Sequence, residues 1–250
     1  MGRLNDMTAT NCPPTPQVAH QVRGYCAFVD ALGFSRHCLR MPTKDALEHV
    51  WFLREFATAG LYRGKSVYVF DKAEFQGYDV DSDRLAVFQI SDAFVMFTFD
   101  ESPESFESLL NLLNNFFCAC VSVGYAIRAG VTVGNLAYTP DYQMIAGDAL
   151  AKAAIIEKRQ KWLGVVFDPS MPILAGDWPL IRRYGAPVED DPDFIFPDKA
   201  SVPCLNWPSQ MKDKSPHPSL LLRLAEQEEG NPKLYRQNAC LFYDAVKQSV

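Results

Sequence analysis

Two aspartates, Asp30 and Asp92, stand where apolar runs of the sequence end. Asp30 closes the run over residues 25–29, and Asp92 belongs to a polar pair between the apolar runs 85–90 and 93–99. Short apolar runs bounded by turn residues are typical of buried strands, and a polar pair between two of them indicates a hairpin tip. Because neighbouring strands lie about 4.8 Å apart, adjacent strands would bring both carboxylates to one end of a sheet.

Paired carboxylates of this kind could hold two divalent cations. Mg²⁺ and Mn²⁺ prefer oxygen ligands. Two such ions about 3.5–4 Å apart can stabilise the attacking and leaving oxygens of an in-line phosphoryl displacement. Aspartate is also frequent at turns for structural reasons, because its side chain bonds to the local backbone. From spacing alone, a metal site and a pair of turn residues both stay open.

Four motifs, taken in order, resemble those of the class III nucleotide cyclases. Residues 28–35, Phe-Val-Asp-Ala-Leu-Gly-Phe-Ser, are similar to the first metal-binding motif of that family. Residues 90–94, Ile-Ser-Asp-Ala-Phe, are similar to the second, with Ser91 in place of the usual Gly. Residues 127–134, Ile-Arg-Ala-Gly-Val-Thr-Val-Gly, match the Arg-x-Gly-x-x-x-Gly strand, and residues 147–150 match the start of the Gly-Asp-x-Val-Asn helix.

The resemblance implies a fold and a set of site residues. The expected fold is α+β, with a ferredoxin-like (βαββαβ) class III cyclase core, a mostly antiparallel sheet with helices on one face, and a C-terminal extension. Two ions per site, Mn²⁺ or Mg²⁺, would be bound by Asp30, Asp92 and the backbone carbonyl of Ala31. The family also implies a homodimer with sites at the subunit interface. Its triphosphate contacts correspond here to Leu32, Gly33, Phe34 and Ser35.

Residues that read a purine in adenylate and guanylate cyclases are replaced in this chain. Phe88 and Met144 stand at the two base-reading positions. Ala151 and Ile155 stand where the family has the Asn and Arg that stabilise the transition state. Phe88 and Met144 fit a base held by stacking and shape, although both could equally be core residues. Arg84, in the strand-like run before the second motif, is a further candidate for nucleotide contact.

Intact metal carboxylates without purine-reading residues resemble the bacterial pyrimidine (uridylate and cytidylate) cyclases of the Pycsar anti-phage system. This resemblance implies conversion of UTP, or else CTP, to the 3′,5′-cyclic monophosphate and diphosphate. The product would be read by a separate effector protein. Two alternatives stay open: an adenylate or guanylate cyclase, and a catalytically inactive cyclase-like module that binds nucleotide.

Composition limits the other function classes. The chain has 250 residues and 48% hydrophobic content, enough to fill a sizeable core. Its net charge of −6 offers no general attraction for nucleic acid. No apolar stretch reaches the roughly 18–20 residues that a membrane span needs, so we expect no membrane partner and a cytoplasmic location. The seven cysteines form no Cys-x-x-Cys pair, which argues against zinc and disulfides.

The elements that must position these residues divide the chain into three predicted parts. Residues 1–22 are predicted to be a mobile N-terminal segment, 23–172 the cyclase catalytic domain, and 173–250 a C-terminal extension packed on the core. Ser102 followed by Pro103 predicts the start of a helix, and Asp148 is predicted to cap the helix after it. Residues 71–84, which are polar, are predicted to form a loop.

Overall fold

A mixed sheet and its flanking helices make up the protein in the computed structural model, which describes residues 19–61, 67–70, 73–139, 144–212 and 231–248. The strands are β1 (His20–Ala31), β2 (Val67–Phe70), β3 (Ala73–Gln76), β4 (Leu85–Ile90), β5 (Ala93–Thr98), β6 (Ile127–Tyr138), β7 (Ile145–Ala146), β8 (Val165–Phe167), β9 (Ile181–Tyr184) and β10 (Val202–Leu205). The helices are α1 (Phe34–Arg40), α2 (Thr43–Leu61), α3 (Pro103–Ser122), α4 (Asp148–Lys158), α5 (Trp207–Gln210) and α6 (Asn231–Lys247), with 3₁₀ turns at Ser82–Arg84 and Pro172–Ala175.

The central sheet is mostly antiparallel. Its strand order is β4-β5-β1-β6-β8-β10-β9, β7 pairs with β6, and β2 and β3 form a separate two-stranded sheet. Only β6 and β8 pair in parallel among the described strands. The predicted α+β class with a mostly antiparallel sheet is confirmed. Beyond residue 172, β9 and β10 continue the same sheet.

Helices cover both faces of this sheet. On one face, Tyr25 of β1 packs on Phe106 of α3 with ring centroids 4.9 Å apart. On the other, a Cβ placed at Gly130 of β6 would lie 2.2 Å from the carbonyl oxygen of Ala153 in α4. The prediction placed the helices on one face, and α4 is the exception. It lies on the opposite face because Gly130 has no side chain to keep it away.

The start of α3 agrees with the sequence prediction. Ser102 Oγ accepts a hydrogen bond of 3.2 Å from the backbone N–H of Ser105, and Pro103 occupies the first helical turn. This arrangement satisfies an N–H group that the helix itself cannot pair. The next 20 residues then place a nearly continuous buried surface beneath the sheet.

Residues 71–84 are not the uniform loop that was predicted, because they contain β3 and a 3₁₀ turn. Three asparagine side chains of α3 bind the backbone at the end of β3 and just after it, and Asn114 donates to the carbonyl of Gln76 in β3. Asn111 donates to the carbonyl of Asp79, and Asn115 both accepts from the N–H and donates to the carbonyl of Tyr78. Side chains from a distant helix therefore supply the hydrogen bonds that order this segment.

The start of α4 also differs from its prediction. Asp148 does not cap the helix: its Oδ1 accepts a 2.8 Å hydrogen bond from the backbone N–H of Asn135 in β6. Gly147 precedes the helix without any side-chain cap. The carboxylate thus joins α4 to the sheet.

The predicted N-terminal segment and C-terminal extension are described only in part. β1 begins at His20, so residues 20–22 are strand, whereas the prediction assigned them to the mobile segment. Residues 1–18 of that segment, and residues 213–230 of the predicted extension, lie outside the described residues. Within the described part of the chain, none of the helices combines the length and apolar character needed to cross a bilayer.

Candidate metal and nucleotide site

Asp30 and Asp92 lie on neighbouring strands at one end of the central sheet. Asp30, near the end of β1, is paired with Ala93, the first residue of β5. Asp92 immediately precedes Ala93 in the two-residue turn between β4 and β5. Both aspartates are half-buried. The sequence prediction that they converge at one sheet end is confirmed, while their role as metal ligands stays a prediction.

The environment of Asp30 favours binding of a cation. Burial, followed by the negative charge of Asp92, raises the pKa of Asp30 to about 6, and the positive charge of Arg128 acts in the opposite direction. Two carboxylates that repel each other are stabilised by a divalent ion between them. Their oxygens, with the carbonyl of Ala31 beside them, match the ligand preference of Mg²⁺ and Mn²⁺. The donor set therefore fits the predicted ions.

The described residues contain no cluster of three or more His, Cys, Asp or Glu side chains arranged to hold a metal. An ion at Asp30 and Asp92 would complete its coordination with backbone carbonyls, water or substrate oxygens. This is how Mg²⁺ usually binds in proteins that act on phosphates.

The turn after β1 begins two residues after Asp30 in the sequence. Gly33 has a φ of 84°, in the left-handed region that glycine favours. The backbone N–H of Leu32 donates a 2.8 Å hydrogen bond to the carbonyl of Ala126, and α1 then begins at Phe34. The predicted phosphate-binding residues Leu32, Gly33, Phe34 and Ser35 are therefore adjacent to the carboxylates.

A small recess of about 20 Å³ adjoins this turn. His49 of α2 and Tyr125 meet in its wall, with 2.6 Å between Nδ1 and the phenol oxygen. The remaining lining residues are mainly apolar: Ala31, Leu32, Phe34, Leu53 and Ala126. His49 thus has a hydrogen-bonding partner in Tyr125.

The hairpin tip carries local backbone strain. Ser91 has a φ of 57°, a conformation that costs a non-glycine residue free energy. The Gln89 side chain donates 2.9 Å to the carbonyl of Ser91 and 3.2 Å to the carbonyl of Val50 in α2. These bonds hold a strained turn in place. The family resemblance has glycine at Ser91, where this conformation is unstrained.

A buried ion pair beside Asp30 was not identified from the sequence. Arg128 of β6 is the cross-strand partner of Asp30. Its Nη2 lies 2.6 Å from Oε1 of Glu157, and its Nη1 donates 2.9 Å to the carbonyl of Gln160. Burial, the largest cause, raises the pKa of Glu157 to about 7 against the opposing effect of Arg128, and Asp30 contributes to the rise. Arg128 was visible in a motif, but no local signal connected Glu157 to it.

Phe88 lies on the same sheet face as Asp30, two strands away, a distance of roughly 10 Å. It pairs with Val95, which in turn pairs with Phe28. Phe88 is half-buried in an apolar cluster that includes Phe28 and Tyr138. Its position is compatible with contact to a flat apolar group on this face.

The structure does not bring Met144 or Arg84 to the aspartate pair within one chain. Met144 precedes β7, which pairs with the far end of β6, and it is 52% exposed. Arg84 precedes the six residues of β4, which span about 20 Å, and its Nε donates 2.8 Å to Asp81.

At positions 151 and 155, α4 carries no replacement for the missing Asn and Arg. Ala151 is exposed and Ile155 half-buried, and neither carries a polar group. Of the nearby cations, Lys152 lies 3.8 Å from Asp148, and Arg159 is paired with Asp191. Transition-state contacts of the family type are therefore lacking at these two positions.

No protein-family model and no curated protein matches the sequence. A bacterial light-regulated adenylyl cyclase is similar in structure with a TM-score of 0.52 and 12% identity, over 88% of this chain and 59% of that one. The catalytic core of a rhodopsin-guanylyl cyclase with converted specificity, in complex with ATPαS, has a TM-score of 0.49 and 17% identity, over 75% and 96%. A class III adenylyl cyclase-like ATP-binding protein from Pseudomonas aeruginosa has a TM-score of 0.43 and 11% identity, over 92% and 44%.

At these identities the similarity concerns the fold. The fold assignment rests on the light-regulated cyclase, which has a TM-score of 0.52. This chain spans 59% of the length of that protein. The open, mostly antiparallel sheet, with Asp30 and Asp92 at one end, is consistent with this match. The chain therefore shares its fold with an adenylyl cyclase.

Proposed function

We propose that this protein is a nucleotide cyclase, a phosphorus–oxygen lyase, that acts on a pyrimidine nucleoside triphosphate. UTP is the preferred substrate and CTP the second. The products would be the 3′,5′-cyclic monophosphate and diphosphate. The observation that carries the proposal is the convergence of Asp30 and Asp92 at one sheet end in a chain with a cyclase fold.

In the proposed site, Asp30, Asp92 and the carbonyl of Ala31 hold two Mn²⁺ or Mg²⁺ ions. Such ions neutralise the charge of the triphosphate and favour ionisation of the ribose 3′-hydroxyl. The contribution of the chain itself is placement: the pairing of β1 with β5 fixes the carboxylates relative to each other. The backbone N–H groups of Gly33, Phe34 and Ser35 would bind phosphate oxygens, whereas the N–H of Leu32 is bonded to the carbonyl of Ala126.

The reaction is an intramolecular substitution at the α-phosphorus. The 3′-oxygen forms a bond to that phosphorus, and the bond from phosphorus to the departing diphosphate oxygen breaks. The hydroxyl proton is released to water. Because attacking and leaving groups belong to one molecule, catalysis depends mainly on holding the hydroxyl in line with the leaving group.

Recognition of a pyrimidine is supported by the apolar character of the base-reading positions. Phe88 has no hydrogen-bonding side chain and belongs to a cluster with Phe28, Phe99 and Tyr138. Aromatic rings bind bases by stacking, which contributes about 1–3 kcal/mol per base. Met144 lies at the opposite sheet end from Asp30. A head-to-tail homodimer would bring the Met144 end of one copy to the carboxylates of the other.

A catalytically inactive nucleotide-binding module is the second candidate. Ala151 and Ile155 favour it, since α4 presents no donor at either position. An adenylate or guanylate cyclase with unusual base contacts is the third. Both share the aspartate pair with the preferred proposal, so the products of the reaction must decide between them.

The experiment incubates the purified protein with Mn²⁺ and each of the four ribonucleoside triphosphates, and identifies products by mass spectrometry. We expect cyclic UMP, with less cyclic CMP. A cyclic purine product would overturn the pyrimidine assignment. No cyclic product from any substrate would favour the binding module.

The biological part of the proposal follows from the family resemblance. The cyclic nucleotide would act in the cytoplasm as a second messenger in anti-phage defence, read by a separate effector protein. This role is tested by exposing to phage two bacterial strains that carry the effector and either the wild-type protein or its Asp92→Asn variant. Equal phage resistance of both strains would contradict this role.

A further inference from the structure

The C-terminal helix α6 contacts the residue next to Asp30 in the sheet. The ring centroid of Tyr235, in α6, lies 5.4 Å from the guanidinium carbon of Arg128. Arg128 is the cross-strand partner of Asp30. A guanidinium within about 6 Å of an aromatic face is attracted to the ring. A helix from the end of the chain is therefore linked to a proposed metal ligand through one side chain.

Three groups hold the Arg128 guanidinium. Glu157 forms an ion pair of 2.6 Å with Nη2, the Gln160 carbonyl accepts a 2.9 Å bond from Nη1, and the Tyr235 ring lies over the guanidinium carbon. Arg128 is only 8% exposed, and its Nε has no hydrogen-bond partner among the described residues. A buried donor without a partner is costly, and a carboxylate is a strong acceptor for an arginine N–H.

Besides Glu157, the carboxylate that the sheet register places beside Arg128 is that of Asp30. If Arg128 were free to turn, a charge-assisted bond to Asp30 would satisfy its unpartnered Nε–H. That bond would occupy the carboxylate that the proposed ion needs. Restraint of the Arg128 side chain therefore leaves the Asp30 carboxylate available to bind a cation.

The helix that supplies Tyr235 is firmly anchored on the segment after α4. Asn238 donates a 2.7 Å hydrogen bond to the carbonyl of Lys161. Phe242, fully buried, packs on Trp162 with ring centroids 4.8 Å apart. The contact of Tyr235 with Arg128 thus belongs to a fixed interface between α6 and the sheet.

We propose that Tyr235 is a positioning residue that, with Glu157, restrains Arg128 from pairing with Asp30 and so keeps the carboxylate available to a divalent ion. The inference rests on the proposed function, because the ion is the one that the cyclase site would bind. The proposal gives a role in metal binding to α6, a helix that lies outside the aspartate motifs.

The test measures Mn²⁺ binding to the full-length protein from the electron paramagnetic resonance signal of free Mn²⁺, without nucleotide. Tyr235→Leu should weaken binding about 3- to 10-fold, the range expected for loss of a cation–π contact. Tyr235→Phe keeps the ring and should bind like the wild type. In turnover assays, Tyr235→Leu should raise the half-activating Mn²⁺ concentration and leave the KM for nucleotide at saturating Mn²⁺ unchanged.

Tyr243→Leu is the matched control. Tyr243 is a buried ring on the same helix that packs on Trp207, with ring centroids 5.8 Å apart. This variant should lower the melting temperature without changing Mn²⁺ binding. Equal weakening by Tyr243→Leu, or by Tyr235→Phe, would overturn the proposal, as would wild-type Mn²⁺ affinity in Tyr235→Leu.

The two proposals fail in different ways. If the wild type binds Mn²⁺ but forms no cyclic nucleotide, the cyclase proposal fails while the binding comparison still decides the role of Tyr235. If the wild type binds no Mn²⁺, both proposals are overturned.

Discussion

The two ends of the sheet face that α4 covers differ sharply in chemistry. At the carboxylate end, which we define by Asp30, Asp92 and Arg128, partly buried charges lie beside a strained turn. The aromatic end is defined by four rings in mutual contact, those of His20, Phe97, Phe99 and Tyr138. One end is suited to ions and phosphates, and the other to a flat apolar group.

Distance makes this contrast informative. Ten residues of β6 separate Arg128 from Tyr138, about 30 Å of strand. One nucleotide is too short to contact both ends of a single chain. The contrast therefore supports a dimer in which the carboxylate end of one copy meets the aromatic end of another, and the following predictions separate the roles of the two ends.

Removing a carboxylate should have the largest effect. Asp92→Asn keeps the size of the side chain but removes its charge, so we expect turnover to fall at least about 1000-fold through lost stabilisation of the phosphoryl oxygens. Steady-state assays with Mn²⁺ and UTP measure it. Asp83→Asn, in the exposed 3₁₀ turn before β4, is the control and should be neutral. Turnover of Asp92→Asn within tenfold of wild type would remove Asp92 from the site.

A change in the apolar cluster should act on substrate binding instead. Phe88→Ala removes a half-buried ring, and we expect the KM for nucleotide to rise about 10-fold from lost stacking. The half-activating Mn²⁺ concentration should stay constant. Phe52→Ala, which removes a 46% exposed ring on α2, is the control. A shift in Mn²⁺ dependence with unchanged KM would reverse the assignment of Phe88.

The charge of Asp30 should destabilise the metal-free protein at neutral pH. Its pKa rises from 3.8 to about 6 on folding, so between these values the folded state retains a proton that the unfolded chain has released. Stability therefore falls as the pH rises through this window, and the loss is complete above about pH 6. After allowance for the partial exposure of Asp30, the Asp30→Asn variant should have a free energy of unfolding about 1–2 kcal/mol higher than the wild type at pH 7.5.

Denaturant unfolding at pH 4 and pH 7.5, without metal, measures this gain. The stability difference between Asp30→Asn and the wild type should be small at pH 4. At pH 7.5 this difference should shrink when Mn²⁺ is added, since the ion stabilises only the wild type. An equal gain at both pH values would show that the charge of Asp30 is not its cause.

The smallest effect is expected at the hairpin tip. Ser91→Gly should relieve the positive-φ conformation and change the free energy of unfolding by no more than about 1 kcal/mol, in the stabilising direction. Turnover should stay within about twofold of wild type. Thermal unfolding measures the change. A marked loss of stability would mean that the Ser91 side chain has a role beyond its backbone conformation.

Prediction from sequence succeeded where the signal is local. The β4–β5 hairpin follows from apolar runs around a polar pair, and the start of α3 follows from Ser102 and Pro103. β3 was missed because its hydrogen bonds come from distant elements, among them one from Asn114 of α3 to the carbonyl of Gln76. Asp148 was misassigned as a cap because the N–H of Asn135 competes for its carboxylate.

Contacts between distant elements were beyond the reach of sequence reasoning. Glu157 and Tyr235 meet Arg128 only after α4 and α6 have packed against β6. Neither residue lies in a recognisable motif. The aspartates were identified because their motifs are local, whereas the side chains around Arg128 became visible only in the assembled fold.

A crystal structure with Mn²⁺ and a non-hydrolysable UTP analogue, with Mn²⁺ located by anomalous scattering, tests the central claim most directly. We predict two ions about 3.5–4 Å apart, each about 2.1 Å from a carboxylate oxygen of Asp30 or Asp92. Manganese bound elsewhere, or carboxyl groups turned away from each other in the presence of the ion, would contradict the account.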